Sequence, residues 1–360
     1  MYFMTNFNDL SSKPARFLSF TGLKEECFLA LLPRFALKFQ EHMENFTLEG
    51  KIRQKRKYVE YKNACLPTIE NKLLFILTYL KGNDLQEKLA EMFGISQPKA
   101  NLWIHLLHSV LNQTLNEIDM LPARDAESLE RKLEKLKEEA EATSIEMEGE
   151  AEATSFEMEE MEVTSFEMEE VEATLLKGEA EATSLEEETE VEMEDEIIEE
   201  EIEIELYLHD GTERPINRPL DLEMQKIYYS GKQKEHTLKN NILIDISCYI
   251  LFLSNTCEGK KHDKKVADEA GYKLPEGSYL GQDTGFQGFK IPGVNIIQPK
   301  KKPRGGELTV EEKERNRLIS SVRVRVEHAI GGVKRYRIVK ETLRNWKNGF
   351  KDLVMETCCG

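Results

Sequence analysis

Three acids in the C-terminal half of this 360-residue chain have types and spacing that could hold metal ions at a phosphodiester. Asp210 follows an alternating run, Ile202, Ile204, Leu206 and Leu208, which reads as a strand ending on His209-Asp210. Asp283 closes a second extended run that starts at Tyr279-Leu280, and Glu327 lies inside a helical stretch from about Glu311 to Lys334. Carboxylates are hard oxygen donors, so such a set suits Mg²⁺, with Mn²⁺ as a substitute, where His or Cys clusters would select other metals. Two ions about 3.5–4 Å apart stabilise both the attacking and the leaving oxygen of a phosphodiester. The ligand that bridges them is best held rigidly in a sheet, and that role falls to Asp210. Spacing by itself decides little, because Asp and Glu number 67.

The neighbours of these acids carry the complementary charge. Arg323, Glu327 and Lys334 stand at i−4, i and i+7 on one helical face, two cations flanking an acid and placed to hold phosphates. The loop Lys300-Lys-Lys-Pro-Arg304, followed by two glycines, offers Lys301, Lys302 and Arg304 as a phosphate-binding segment. Asp263 follows Lys260-Lys-His262, and two roles stay open for it: a fourth acid steering metal or water, or the N-cap of the helix it opens.

The elements that must position these groups can be read in order. After the strand ending at Asp210 come extended runs at Thr237 to Ile244 and Ser247 to Leu253, a helix from Asp263, the strand at Tyr279, and the long final helix. Three strands, a helix, a strand and a late helix is the order of an RNase H-like α/β fold, a mixed sheet flanked by helices. Upstream, Ile69, Leu73, Ile76, Leu77 and Leu80 form one helical face. Gly82-Asn-Asp84 ends that helix, Asp84 is placed to cap the next one over Leu85 to Phe93, and Gly94 turns the chain. Ser96 then caps a third helix, with Pro98 in its first turn. Helix, helix, Gly turn, helix is the pattern of a helix-turn-helix, whose last helix meets base edges near its N-terminus. Those residues are Gln97, Lys99 and Asn101, with His105 a turn further on; an ordinary three-helix bundle fits the same pattern.

The formal charge of −18 is misleading about the rest of the chain. Between Glu138 and Ile204 stand 29 acids and one base, Lys177, a net of −28 that leaves +10 for everything else. The remainder is therefore basic, as a partner of a polyanion would be. The acidic tract repeats itself: Glu-Ala-Thr-Ser starts at positions 141, 152 and 181, and Ser-Phe-Glu-Met-Glu-Glu at 155 and 165. It reads as a disordered or loosely helical linker. The division is thus residues 1–125, an all-helical DNA-binding domain with the helix-turn-helix at about 66–115; 126–204, an acidic low-complexity linker; and 205–360, the α/β catalytic domain. Six cysteines without a CxxC pair and no apolar leader place the chain in a reducing, cytoplasmic setting. No apolar stretch is long enough for a bilayer, so no membrane partner is expected.

Residues 205–360 resemble the catalytic domain of bacterial insertion-sequence transposases of the DDE superfamily, in the branch related to Harbinger-type elements. The resemblance rests on His209-Asp-Gly-Thr-Glu-Arg-Pro-Ile216, Tyr228-Tyr-Ser-Gly-Lys-Gln-Lys-Glu-His-Thr-Leu-Lys239, Gly281-Gln-Asp-Thr-Gly-Phe-Gln-Gly288 and Arg323-Val-Arg-Val-Glu-His-Ala-Ile-Gly-Gly-Val-Lys334. Residues 66–120 are similar to the helix-turn-helix that precedes this core. The likeness implies a DNA transposase that binds the terminal inverted repeats of a mobile element and target double-stranded DNA, works as a dimer on DNA, and performs metal-dependent cleavage and strand transfer in the bacterial nucleoid. It implies Asp210, Asp283 and Glu327 as the catalytic, metal-binding triad. The last stretch is similar to a Tyr-2-Arg-3-Glu-6-Lys pattern, departing from it at Ser320 where the tyrosine would stand. Members of this branch usually continue past the position of Gly360 with a further helical segment. The competing reading is a DNA-binding protein whose catalytic half has decayed.

Overall fold

The computed structural model describes residues 5–54, 57–59, 64–150, 205–345, 347 and 349–360, with side chains of 141–150 left aside. The acidic repeats from Glu152 onward, and the expected resumption of order at Ile202, lie outside the described residues.

The N-terminal part is helical: α1 (Phe7–Ser11), α2 (Pro14–Thr21), α3 (Glu25–Asn45), α4 (Ile69–Gly82), α5 (Gln86–Met92) and α6 (Gln97–Glu117). Helix α4 is its centre, because every residue from Lys72 to Leu80 is buried, as in a helix covered on all sides. The Thr68 side chain caps it by accepting from the Asn71 N–H, and Asn83 ends it in the left-handed region at φ 48°. Two expected caps differ. Leu85, not Asp84, is the N-cap of α5, because the Asp84 carboxylate turns to Lys88 at 2.6 Å. Ser96 holds the N-cap position of α6 without a side-chain cap bond. Pro98 sits in the first turn of α6, where the N–H it lacks has no acceptor in the helix.

Helix α7 (Ala126–Glu150) spans the first residues of the expected linker. Leu129 and Leu133 are buried against the sheet, and Lys132 donates to the carbonyls of Asp119 and Leu121 at 2.8 and 2.9 Å. A helix with buried leucines on one face belongs to the core whatever the charge of its outer face.

Among the described residues seven strands follow: β1 (Leu206–Pro215), β2 (Tyr229–Ser230), β3 (Glu235–Ile244), β4 (Ile250–Leu253), β5 (Cys257–Glu258), β6 (Tyr279–Gln282) and β7 (Asn295–Ile297). Their order is β2-β3-β1-β6-β7, with β4 and β5 also on β3. The sheet is mixed, β1 being antiparallel to β3 and parallel to β6. Three helices are interleaved with it or follow it closely: α8 (Leu222–Tyr228), α9 (Asp263–Ala270) and α10 (Val310–Val333). Strand β1 does not end at Asp210, as the alternation suggests, but runs to Pro215, because β3 continues beside it as far as Thr237. The short strands β2, β5 and β7 and the helix α8 carry too few residues for a periodicity to be read.

Alternation along β1 divides the core. Leu206 and Leu208 join Ile242, Ile244, Val326 and the N-terminal helices in one cluster. Tyr207, Leu243 and Leu280 join Leu129, Phe252 and Phe286 in another on the opposite face. The C-terminal helices α11 (Arg337–Lys340) and α12 (Phe350–Cys359) pack back onto α4 and α6. The first cluster is therefore continuous from Phe17 through Leu107 and Leu208 to Val354. Among the described residues no helix is long and apolar enough to cross a membrane.

Candidate active site

The site grows out of one register. Strand β6 pairs with β1 only over Leu206 to His209, so the last pair is His209 with Gln282. The next residue on each strand is an acid, Asp210 on β1 and Asp283 just past β6. Two parallel strands thus deliver two carboxylates side by side at their C-terminal ends, where α/β sheets place their ligands.

His209 fixes that register. Its ring stacks on Phe286 with centroids 3.9 Å apart. Nε2 lies 3.1 Å from Gln282 Oε1, and Nδ1 lies 2.5 Å from the Tyr272 hydroxyl. An amide oxygen cannot donate, so Nε2 carries the proton and the Tyr272 hydroxyl donates to Nδ1. Burial pushes the His209 pKa down to about 3, which keeps the ring neutral and the tautomer single.

Asp210 accepts from its neighbouring Gly211 N–H at 2.7 Å. Its other oxygen, Oδ2, lies 3.6 Å from one prong of the Arg323 guanidinium, while the second prong lies 3.7 Å from Asp283 Oδ1. Helix α10 supplies Arg323 by packing on β1, β3 and β6. Burial holds the Asp210 carboxyl above its ordinary range; the Gly211 N–H and Arg323 oppose this, and the like charges of Asp283 and Asp263 add to it.

Asp263 enters from the other side. The N-cap of α9 is His262, so Asp263 does not take the capping role. It lies against Gly211, where a Cβ would stand 2.5 Å from Asp263 Oδ1; a side chain at 211 would displace this acid. Lys239 lies 3.0 Å from Asp263 Oδ1 and 3.5 Å from Glu213 Oε1, and Thr237 donates to Glu213 Oε2 at 2.7 Å. Lys334 completes the ring: it is half-buried, burial lowers its pKa, and Glu213 and Asp210 are the acids that oppose the lowering. Neither Glu213 nor Lys239 follows from the sequence reading. They are register partners on β1 and β3, separated in the chain by a stretch that gives no sign of the pairing.

The donor set can be weighed against the metal ions expected here. Asp210, Asp263 and Asp283 offer hard oxygens, and Asp210 is desolvated beside two like charges, an arrangement that a divalent cation relieves. Asp263 Oδ1 is buried, with the Lys239 ammonium 3.0 Å away as its ionic partner. The third expected ligand stands apart: Glu327 is exposed, one turn beyond Arg323 on α10. Among the described residues no three acids, His or Cys close into a metal-holding group. The chemistry of the Asp210, Asp263 and Asp283 oxygens fits a divalent cation, although Arg323 stands between Asp210 and Asp283 and Glu327 does not join them.

Lys301, Lys302 and Arg304 are exposed in the loop before α10, and Lys302 pairs with Glu307 at 3.7 Å. A cavity of about 410 Å³ next to that loop is lined by Thr284, Gln298, Lys300, Lys301, Arg315 and Asn316, so it joins the Asp283 turn to the basic segment. In the helix-turn-helix, Gln97 and Lys99 are exposed and Asn101 half-exposed. Gln97 and Asn101 both donate to Gln86 Oε1, at 2.8 and 3.1 Å, which ties α6 to α5. His105 is turned away from that surface: its ring meets Phe350 of α12 with centroids 5.3 Å apart, because α12 covers the later turns of α6.

Two stretches of the chain are similar to known families. Residues 209–360 match the family model described as "DDE superfamily endonuclease", and residues 64–117 match "Helix-turn-helix of DDE superfamily endonuclease". The "Probable transposase for insertion sequence element IS702" of Microchaete diplosiphon is 34% identical over 140 residues, which are 39% of this chain and 50% of that protein. The chain thus spans about half the length of that relative. No solved structure matches the chain significantly.

Proposed function

We propose, from the similarity of residues 64–117 and 209–360 to the helix-turn-helix and the endonuclease of the DDE superfamily, that this chain cuts and joins DNA at the ends of a mobile element. The observation that carries this reading is the pairing of Asp210 and Asp283 at adjacent strand ends on one guanidinium, Arg323. The mixed sheet flanked by helices, which we read as RNase H-like, supports it.

Asp210, Asp283 and Glu327, with Asp263 as a fourth acid, would hold two divalent cations, Mg²⁺ or Mn²⁺, which when bound supply positive charge to the reacting oxygens. The chain's own residues do the rest. Arg323 and Lys334 neutralise phosphate oxygens of the strand entering the site. His209 keeps Asp210 and Asp283 level by bonding its own register partner, Gln282. Lys239 holds Asp263 and Glu213 in place. The Lys301–Arg304 loop and the first turn of α6, through Gln97, Lys99 and Asn101, grip the duplex. Such an enzyme would act as a dimer on the inverted repeats and the target DNA.

The test is a cleavage assay on duplexes ending in the inverted repeats that flank the gene, with and without Mg²⁺. Cleavage that requires Mg²⁺ and disappears in Asp210→Asn and Asp283→Asn supports the reading. Full cleavage by either variant would overturn it, and no cleavage by the unaltered chain would favour the decayed alternative.

A further inference from the structure

Two cations stand among the acids of the site, and they are held in different ways. Lys239 is anchored: its ammonium lies 3.0 Å from Asp263 Oδ1 and 3.5 Å from Glu213 Oε1, and it donates to the Lys261 carbonyl at 2.8 Å. Arg323 is held by charge alone. Its prongs stand 3.6 Å from Asp210 Oδ2 and 3.7 Å from Asp283 Oδ1, both beyond hydrogen-bond reach, and its Nε is buried without an acceptor. Arg325, two residues further along α10, shows a settled guanidinium by contrast, donating to the Ile246 carbonyl at 2.7 Å.

The groups around Arg323 are fixed where its side chain is not. Asp210 takes the Gly211 N–H at 2.7 Å on the oxygen that does not face Arg323. The Asp283 carbonyl accepts from Gln298 at 2.6 Å, which ties that turn to the end of β7. Ile319, Val326 and Ala329 bury one face of α10 in the core, so the helix stays in place if the guanidinium leaves. Ser320, one turn before Arg323, is small and exposed, and it leaves the solvent side open for that movement.

The oxygens that Arg323 faces are the ones a shared metal ion would use. Mg²⁺ bonds oxygen at about 2.0–2.1 Å, so an ion shared by two carboxylates holds their oxygens at most about 4 Å apart. A guanidinium lying against both oxygens claims the same space and carries charge of the same sign. Resting on the function proposed above, we propose that Arg323 competes with the divalent cation for the Asp210–Asp283 pair, and that a phosphate of the entering DNA strand draws it away. DNA and metal then favour the same arrangement, with Arg323 off the acids, and each must tighten the other by one common factor. Loading of the metal is thereby tied to the presence of the strand.

The test counts Mn²⁺ bound to the full chain by electron paramagnetic resonance, without DNA and with a duplex carrying the inverted repeats. Spectra are taken in the cold before product forms, and the Mn²⁺ that the duplex binds by itself is subtracted. The unaltered chain is expected to bind Mn²⁺ about tenfold more tightly with the duplex than without it. Arg323→Gln should bind Mn²⁺ about tenfold more tightly than the unaltered chain without DNA, and gain less than about twofold from the duplex. Arg323→Lys keeps the charge but cannot lie along both acids, so it should shift the same way and serves if Arg323→Gln does not fold. Lys334→Gln removes an equal charge near Asp210; it should gain no more than about threefold and keep its response to the duplex. Unchanged Mn²⁺ affinity in the Arg323 variants overturns the inference, as does a full response to the duplex that survives in them. An equal gain in Lys334→Gln overturns it too, by assigning the effect to net charge. These three outcomes leave the function proposed above standing. Mn²⁺ bound equally well by Asp210→Asn and Asp283→Asn, or by none of the proteins, overturns both.

Discussion

The guanidinium of Arg323 lies 3.6 Å from the Asp210 carboxylate, and its other prong reaches Asp283 at 3.7 Å. A planar fork can engage two acids at once in a way that a lysine ammonium cannot. Arg323→Lys should therefore lower the cleavage rate by about a hundredfold, the usual cost of one preorganised charge-stabilising donor, with little change in DNA affinity. Single-turnover rates alongside equilibrium binding would check this. Equal losses in both would reduce Arg323 to a binding residue.

His209→Leu separates positioning from chemistry. The substitution leaves the Tyr272 hydroxyl and the Gln282 oxygen without their buried partner, at about 1–3 kcal/mol for each group. Urea unfolding should show a loss of that order, and cleavage should fall further than stability, because the Asp210–Asp283 register loosens. A variant that loses stability but keeps its rate would show that the register holds without His209.

Acid should weaken the contact between α6 and the C-terminal helix. His108 is fully buried and lies 3.1 Å from the Thr357 hydroxyl; burial pushes its pKa down to about 3 from 6.5. A folded pKa below the unfolded one means the neutral ring contributes its full stability above pH 6.5. That contribution is lost as pH falls from 6.5 towards about 3, at no more than about 1.4 kcal/mol per pH unit. Thermal melts of the His108→Gln variant should show a shallower decline over this window than the unaltered chain.

The acidic repeats and the helix that leads into them should behave differently. Leu129→Ala removes a fully buried side chain of the second core and should cost about 2–5 kcal/mol. Replacing residues 151–204 by a short Gly-Ser linker should leave the melting temperature nearly unchanged and strengthen non-specific DNA binding, since a tethered polyanion competes with phosphates for the basic faces. Calorimetry and a salt titration of binding would test both halves.

Lys99→Ala, on the exposed first turn of α6, should weaken binding to the inverted repeats more than to unrelated DNA. His105→Ala should instead act through stability, because its ring packs on Phe350. Specific and non-specific affinities measured with both variants would separate the two roles.

The sequence by itself determined what is local. Period-two alternation marked β1 and the acid it carries, the Gly94 turn separated α5 from α6, and the charge of the chain was traced to one tract. Tertiary structure decided what depends on register and on docking. Whether Glu213 meets Lys239 is set by how β1 and β3 slide against each other, and only their full pairing fixes it. Asp263 and His105 each had a local role available, and each was taken by a partner distant in the chain, Lys239 and Phe350. Likewise the acidic composition from Glu138 onward said nothing about Leu129 and Leu133, whose burial was decided by the sheet surface left open beside Phe252. Local propensity sets which elements form, but the partner of a side chain is set by whichever packed surface lies opposite it.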